Sequence, residues 1–167
     1  MFGDLAHFGD LLRRHARYSG QRIGIIYGDV RLTWQQLNAR ANRFASALQQ
    51  RGVRKGDRVA VLSRNCHECV EILFGLAKIG VISVPVNYRL AEPEIEFICN
   101  DSGAVFLMAG PEYVSVADRI ASRSKHVKEI IALGPASPNH CASYDSLIEA
   151  GHEAEPVPDW SIAPEDL

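Results

Sequence analysis

The stretch from Leu32 to Leu90 changes hydrophobic period repeatedly, and that alternation restricts what the chain can fold into. Leu37, Ala41, Phe44, Ala45 and Leu48 recur at helical spacing opposite Gln35, Asn38, Arg40, Asn42 and Arg43. Such spacing marks an amphipathic helix. Thr33 stands three residues before Gln36, as in a capping box, and Gly52 suits the left-handed residue that ends a helix. After the polar turn Val53–Asp57, Arg58 to Leu62 is a short β-branched run that reads as a buried strand. Cys69 to Ile79 returns to helical spacing with Val70, Leu73, Phe74 and Ala77 on its main stripe; Ile72 and Leu76 widen it, so cover on more than one side is expected. Val81 to Val86 is the next strand, and Pro85, which cannot donate to a ladder, argues for an edge or a bulge.

The flanking sequence keeps this rhythm. Residues 4 to 17 space Leu5, Phe8, Leu11, Leu12, His15 and Ala16 as a short helix. Two β-rich runs meet at Gly28-Asp29, a hairpin signal. Glu92-Pro93-Glu94 opens a helix with Ile95, Ile98 and Cys99 facing inward, since proline and acids suit a first turn. A strand over 104–109, a helix over 112–124 and a strand over 129–133 follow. Alternating helices and uninterrupted apolar strands predict an α/β fold with a mostly parallel sheet and helices on both faces. Residues 1–133 read as that subdomain. From Gly134 to Leu167 the chain reads as a loop, two helical turns over 144–150, and an extended, proline- and acid-rich linker.

Composition excludes several classes. The net charge of −2 over 167 residues gives no argument for nucleic acid or an anionic membrane surface, and no nucleic-acid partner is expected. The longest apolar run, Ile72 to Val86, is interrupted by Lys78 and is too short to span a bilayer. The first residues lack the order of a signal peptide, and four cysteines without one favour reduced thiols in a cytoplasm.

Two motifs carry candidate chemistry. Cys66-His67-Glu68-Cys69 is a C-x-x-C at a helix start, where a thiol pKa can be lowered; it is read either as a redox pair or as one small buried residue beside a helix cap. Asn87-Tyr88-Arg89 lies where a strand's carboxyl end gives way to the next helix, the ligand end of open α/β sheets. Arg89 is read there as a phosphate partner or as a surface arginine paired with Glu92 or Glu94. Neither glycine-rich phosphate-binding pattern occurs. The histidines are scattered, and no metal-ligand spacing stands out.

Read together, LTWQQLNARANRFASALQQRGVRKGDRVAVLSRN, AKIGVISVPVNYRL and PEIEFICNDSGAVFLM resemble the amino-terminal part of the adenylate-forming superfamily, in that family's order and over about Phe8 to Leu133. The PVNYRL form is closer to fatty-acyl and aryl CoA ligases than to peptide-synthetase adenylation domains. The resemblance implies the first, incomplete subdomain of an enzyme that uses ATP, magnesium and CoA to turn a carboxylic acid into an acyl adenylate and then a thioester. It implies that Arg89 approaches CoA phosphates, with Asn87 and Tyr88 beside it. Pro164-Glu165-Asp166-Leu167 resembles the words preceding the family's phosphate loop, so the catalytic residues are expected beyond this sequence. The fragment is then expected to be inactive, to bind none of these cofactors by itself, and to self-associate through uncovered apolar surface. A thiol redox module and a non-catalytic scaffold remain the alternatives.

Overall fold

The computed structural model describes residues 8–134 and 141–163. In chain order these form α1 (Gly9–Ser19), β1 (Ile23–Tyr27), β2 (Val30–Thr33), α2 (Trp34–Gln50), β3 (Arg58–Leu62), α3 (His67–Lys78), β4 (Ile82–Val86) and α4 (Glu92–Asp101). Then come β5 (Phe106–Ala109), a 3-10 turn (Pro111–Tyr113), α5 (Val114–Arg123), β6 (Glu129–Ala132), β7 (Ala142–Ser143) and α6 (Tyr144–Ala150). The chain divides into two compact units. One is Met1–Gly56, Cys66–Val81 and Ile148–Leu167, and the other Asp57–Asn65 and Ile82–Leu147.

The first unit is built around α2. Thr33 Oγ1 accepts from the Gln36 backbone N–H at 3.2 Å, and the Gln36 side chain accepts from the Thr33 N–H at 2.9 Å. The capping box therefore forms as expected and joins β2 directly to α2. β1 and β2 pair antiparallel, and Gly28 turns the hairpin with φ of 54°, a left-handed conformation that glycine adopts without steric cost. Leu12, Leu37 and Ala41 form a buried cluster, with Ile25, Leu32, Trp34, Val70 and Phe74 packed around it. A Cβ at Gly75 would lie 2.6 Å from Phe44 Cδ1 and 2.9 Å from the Ala41 carbonyl oxygen, so α3 approaches α2 at a point only glycine permits.

Two expectations change in this unit. On α3 Ile72, Gly75, Leu76 and Ala77 are buried and Val70 and Phe74 pack against the cluster as expected, but Glu71 and Lys78 are buried too, whereas Leu73 is exposed. Glu71 and Lys78 can be buried because each finds a charged partner, Arg40 and Glu155. The segment after α6 carries no regular structure but is no free linker. Asn42 Nδ2 donates to the Glu153 carbonyl oxygen, Asn38 Nδ2 to Glu155 Oε1, Lys78 Nζ to Glu155 Oε2, and Lys55 Nζ to the Ser161 carbonyl oxygen. Trp160 Nε1 donates to the Ile79 carbonyl oxygen at 3.0 Å. Residues 153–161 thus form a strap tied to α2, to α3 and to the turn at Lys55.

The second unit holds a five-stranded sheet in the order β4-β3-β5-β6-β7, parallel throughout. β4 lies at its edge, where Pro85 lacks nothing a neighbour would need. Ala60, Leu62, Leu107, Ala109 and Ile130 of the strands pack with Ile95 and Cys99 of α4 and Ala117 and Ile120 of α5. Every residue of β5 is buried, as a parallel sheet strand with both faces covered requires. Glu94 caps α4 by accepting from the Ala91 N–H at 2.7 Å. The helix expected over 112–124 splits into the 3-10 turn and α5. Of the expected helix over 4–17, residues 4–7 lie outside the described residues, as does most of the loop after Gly134; what is described is α1.

Candidate functional site

Three loops leave the carboxyl ends of three neighbouring strands: Ser63–Asn65 after β3, Asn87–Arg89 after β4, and Gly110–Tyr113 after β5. The order of strand addition reverses at β3, because the chain goes from β3 to β4 on one side and then returns to β5 on the other. Open α/β sheets bind ligands at such a switch point, outside the carboxyl ends of the strands.

Local chemistry fixes each loop. Asn87 Oδ1 accepts from the Arg89 N–H at 3.0 Å, and the Leu90 N–H donates to the Asn87 carbonyl oxygen at 3.1 Å. Asn87 therefore shapes the turn that presents Arg89, the usual work of an asparagine at such a position. The Gly110 N–H donates to the Leu62 carbonyl oxygen at 2.9 Å and carries the β3–β5 ladder one residue further. A Cβ at Gly110 would lie 2.8 Å from Ser63 Oγ, so glycine allows the two loops to touch. The Tyr113 N–H closes the 3-10 turn on the Gly110 carbonyl oxygen at 2.8 Å.

Onto this frame the side chains converge. The Arg64 and Arg89 guanidinium carbons lie 5.7 and 5.5 Å from the centre of the Tyr88 ring, within cation–π range. The Tyr113 ring is 6.1 Å from that of Tyr88. Both tyrosines are half-buried against the core of this unit. Arg64 Nε also pairs with Glu112 Oε1 at 3.3 Å. Its hydrogen bond with Tyr113 and the charge of Glu112 raise its pKa above the ordinary arginine value. The pairing of Arg89 with Glu92 or Glu94 does not occur: Glu92 bonds Arg119 and Arg123, which hold its carboxyl down to about 2, and Glu94 caps α4. Two planar cations over an aromatic platform suit a phosphate, or a planar ring beside one. They suit binding rather than bond-making, since the Ser63 hydroxyl donates to the Arg64 carbonyl oxygen at 2.8 Å.

Of this cluster, Asn87, Tyr88 and Arg89 were legible in the sequence, whereas Arg64, Glu112 and Tyr113 were not. Arg64 carried the same signal as Arg89, a polar turn at a strand's end. Only the strand order places the two turns side by side.

The other candidates lie elsewhere. Cys66 Sγ and Cys69 Sγ are 3.2 Å apart at the start of α3, both half-buried. A hydrogen bond with Cys69 and then burial push the Cys66 thiol up, so Cys66 is the protonated member of the pair and not its first nucleophile. Burial likewise pushes Cys99 up to about 11. His67 Nδ1 meets Glu71 Oε1 at 2.9 Å, and that bond raises the histidine pKa. His15 stacks on Trp34 at 4.5 Å. His7 and His140 lie outside the described residues. Among the described residues no group of three or more His, Cys, Asp or Glu could hold a metal ion, and no helix is long and apolar enough to cross a membrane.

Residues 12–167 match the family model described as AMP-binding enzyme. The chain is 39% identical over 122 residues to the long-chain-fatty-acid–CoA ligase FadD13 of Mycobacterium tuberculosis, a match that covers 72% of this chain and 24% of that protein. It is 34% identical over 142 residues to the fatty acid–[acyl-carrier-protein] ligase ScoC of Streptomyces coeruleorubidus, covering 85% of this chain and 27% of that one. Its fold superposes on the anthranilate CoA ligase AuaEII, solved in complex with anthranoyl-AMP, with a TM-score of 0.89 and 25% identity over 99% of this chain and 32% of that one. The chain thus spans about a quarter of the length of the curated relatives it matches.

Proposed function

The chain belongs to the AMP-binding enzyme family, and from that membership we propose that it is the amino-terminal part of an ATP-dependent acyl-CoA ligase. Such an enzyme joins a carboxylic acid to AMP and passes the acyl group to CoA. Relatives whose names specify fatty acids, and a fold neighbour that is an anthranilate ligase, support a fatty or aryl acid as substrate. An acyl carrier protein, the acceptor in the name of one relative, is the second reading for the thiol partner.

The observation that carries a binding role for this part is the pair Arg64 and Arg89 over Tyr88 at the switch point. In this reading the two arginines meet CoA phosphates, Tyr88 and Tyr113 offer ring surface, and Asn87 holds the turn. Magnesium, expected with ATP, finds no fitting group of carboxylates among the described residues. No metal site is assigned to this chain, and no step is derived through one.

The isolated chain is proposed to be catalytically inactive, since it spans about a quarter of its relatives' length and lacks the family's phosphate loop. A cytoplasmic setting without nucleic-acid partners accords with its net charge of −2. Exposed Leu73 on α3, and Phe8 stacked on Phe74, support self-association. The test is acid-dependent exchange of labelled pyrophosphate into ATP by the 167-residue chain alone. No exchange is expected; exchange above background would overturn the assignment of catalysis to segments outside it.

A further inference from the structure

We propose that Cys66 and Cys69 form a reversible disulfide, which makes the start of α3 a site of thiol–disulfide exchange with low-molecular-weight disulfides such as oxidised glutathione. The inference stands apart from the ligase reading and would hold for a chain with any activity.

Geometry carries it. Cys66 is the N-cap of α3, with φ −149° and ψ 170°, and Cys69 lies three residues on in the first turn. Residues three apart on a helix face the same side, and here the two sulfurs already meet at 3.2 Å. A disulfide needs about 2.05 Å, so the sulfurs must close by roughly one ångström. As the half-in N-cap, Cys66 has extended rather than helical φ and ψ, so its side chain can supply that movement without breaking the helix. Both side chains are half-buried, so a small disulfide reaches them, while Cys99 is fully buried. The surroundings hold the pair in place: His67, between the two cysteines, is tied to Glu71 at 2.9 Å, and Glu71 is tied to Arg40 of α2 at 2.8 Å.

The step balances without a metal or an enzyme. The bond with Cys69 keeps Cys66 protonated, so Cys69 is the thiol that loses its proton first and attacks a sulfur of the glutathione disulfide, which releases one glutathione thiolate and leaves a mixed disulfide on the protein. The second cysteine loses its proton and attacks the protein-side sulfur, closing the Cys66–Cys69 bond and releasing the second glutathione. The protein gives up two electrons and two protons, and the oxidant leaves as two thiols. The second attack is intramolecular between groups already in contact, so it outruns capture by free thiol.

The experiment equilibrates the 167-residue chain in a glutathione redox buffer, blocks remaining thiols with N-ethylmaleimide at low pH, and digests with trypsin. Arg64 and Lys78 bracket both cysteines, so Asn65–Lys78 is released as one peptide. The expected product is that peptide lighter by two hydrogens, restored by dithiothreitol, and in at least about tenfold excess over glutathione adducts on either cysteine. Cleavage after Glu68 leaves its halves joined until reduction. In Cys66→Ser and Cys69→Ser the linked peptide disappears and the remaining cysteine carries the glutathione adduct. Adducts predominating in the unsubstituted chain, linkage to Cys141 instead, or full alkylation of both cysteines after oxidising equilibration would each overturn the proposal. The unsubstituted chain supplies the decisive reading, so misfolding of a variant cannot mask the answer.

Discussion

Replacing Arg40 with methionine should expose how much the chain depends on a carboxylate it has buried. Glu71 is fully buried, and its Oε1 accepts from Arg40 Nε at 2.8 Å and meets His67 Nδ1 at 2.9 Å. Removing one partner of a buried ion pair costs about 3–5 kcal/mol. Arg40 is partly open to water, at 27% exposure, and His67 stays in place, so the expected cost lies near the lower end, about 3 kcal/mol. The loss should also depend on pH. The bond to Glu71 raises the folded-state pKa of His67, while the charge of Arg40 opposes that rise. A raised histidine pKa contributes stability that is complete below the unfolded value of about 6.5 and is lost as pH rises through the folded value. Without Arg40, protonated His67 is the main cation left to Glu71, so Arg40→Met should cost less at pH 6 than at pH 9. Urea unfolding at both pH values measures this. The double variant Arg40→Met/Glu71→Leu, which removes both charges, should recover most of the loss. A cost under about 0.5 kcal/mol at pH 9, or a double variant worse than the single one, would refute the reasoning.

Gly75→Ala should destabilise the chain by about 1–3 kcal/mol in the same assay, because the new methyl group meets Phe44 and the Ala41 carbonyl oxygen. Glu155→Ala should cost about 1–2 kcal/mol, reduced from the fully buried case because water screens a side chain 37% exposed. Burial alone would raise the Glu155 pKa, but bonds from Asn38 and Lys78 hold it below the ordinary value. Its contribution is therefore complete above the ordinary carboxylate value and fades as pH falls through the lowered one, and acid unfolding of the two proteins should converge there. For the acyl-CoA ligase proposed above, Arg89→Ala is expected to raise the KM for CoA by about tenfold with little change in kcat, since a lost charged hydrogen bond to phosphate weakens binding by that order. An unchanged KM would remove Arg89 from the site.

What the sequence disclosed and what it hid divide along physical lines. The capping box at Thr33, the hairpin at Gly28, the strand at Arg58–Leu62 and the edge position implied by Pro85 were all legible. Each rests on interactions among residues a few positions apart. On α3 the expected face holds except at Leu73, and Glu71 and Lys78 are buried although both count as polar in any periodicity. Their partners, Arg40 and Glu155, lie 31 and 77 residues away, and pairing at that range is what makes burial tolerable. Arg64 escaped notice for a related reason: nothing along the chain says that the loop after β3 neighbours the loop after β4, a fact of strand order alone.

The strap over 153–161 sets a timetable for the newborn chain. Lys78 leaves the ribosome 77 residues ahead of Glu155, an interval of roughly 4–15 s at ordinary synthesis speeds. Throughout it α2 and α3 exist without the carboxylate that neutralises Lys78 and without the indole that reaches the Ile79 carbonyl oxygen. Asn42 waits longer still, 111 residues, for the Glu153 carbonyl oxygen. The first unit therefore begins early in translation and closes late, and chaperones would find these two helices exposed during the wait.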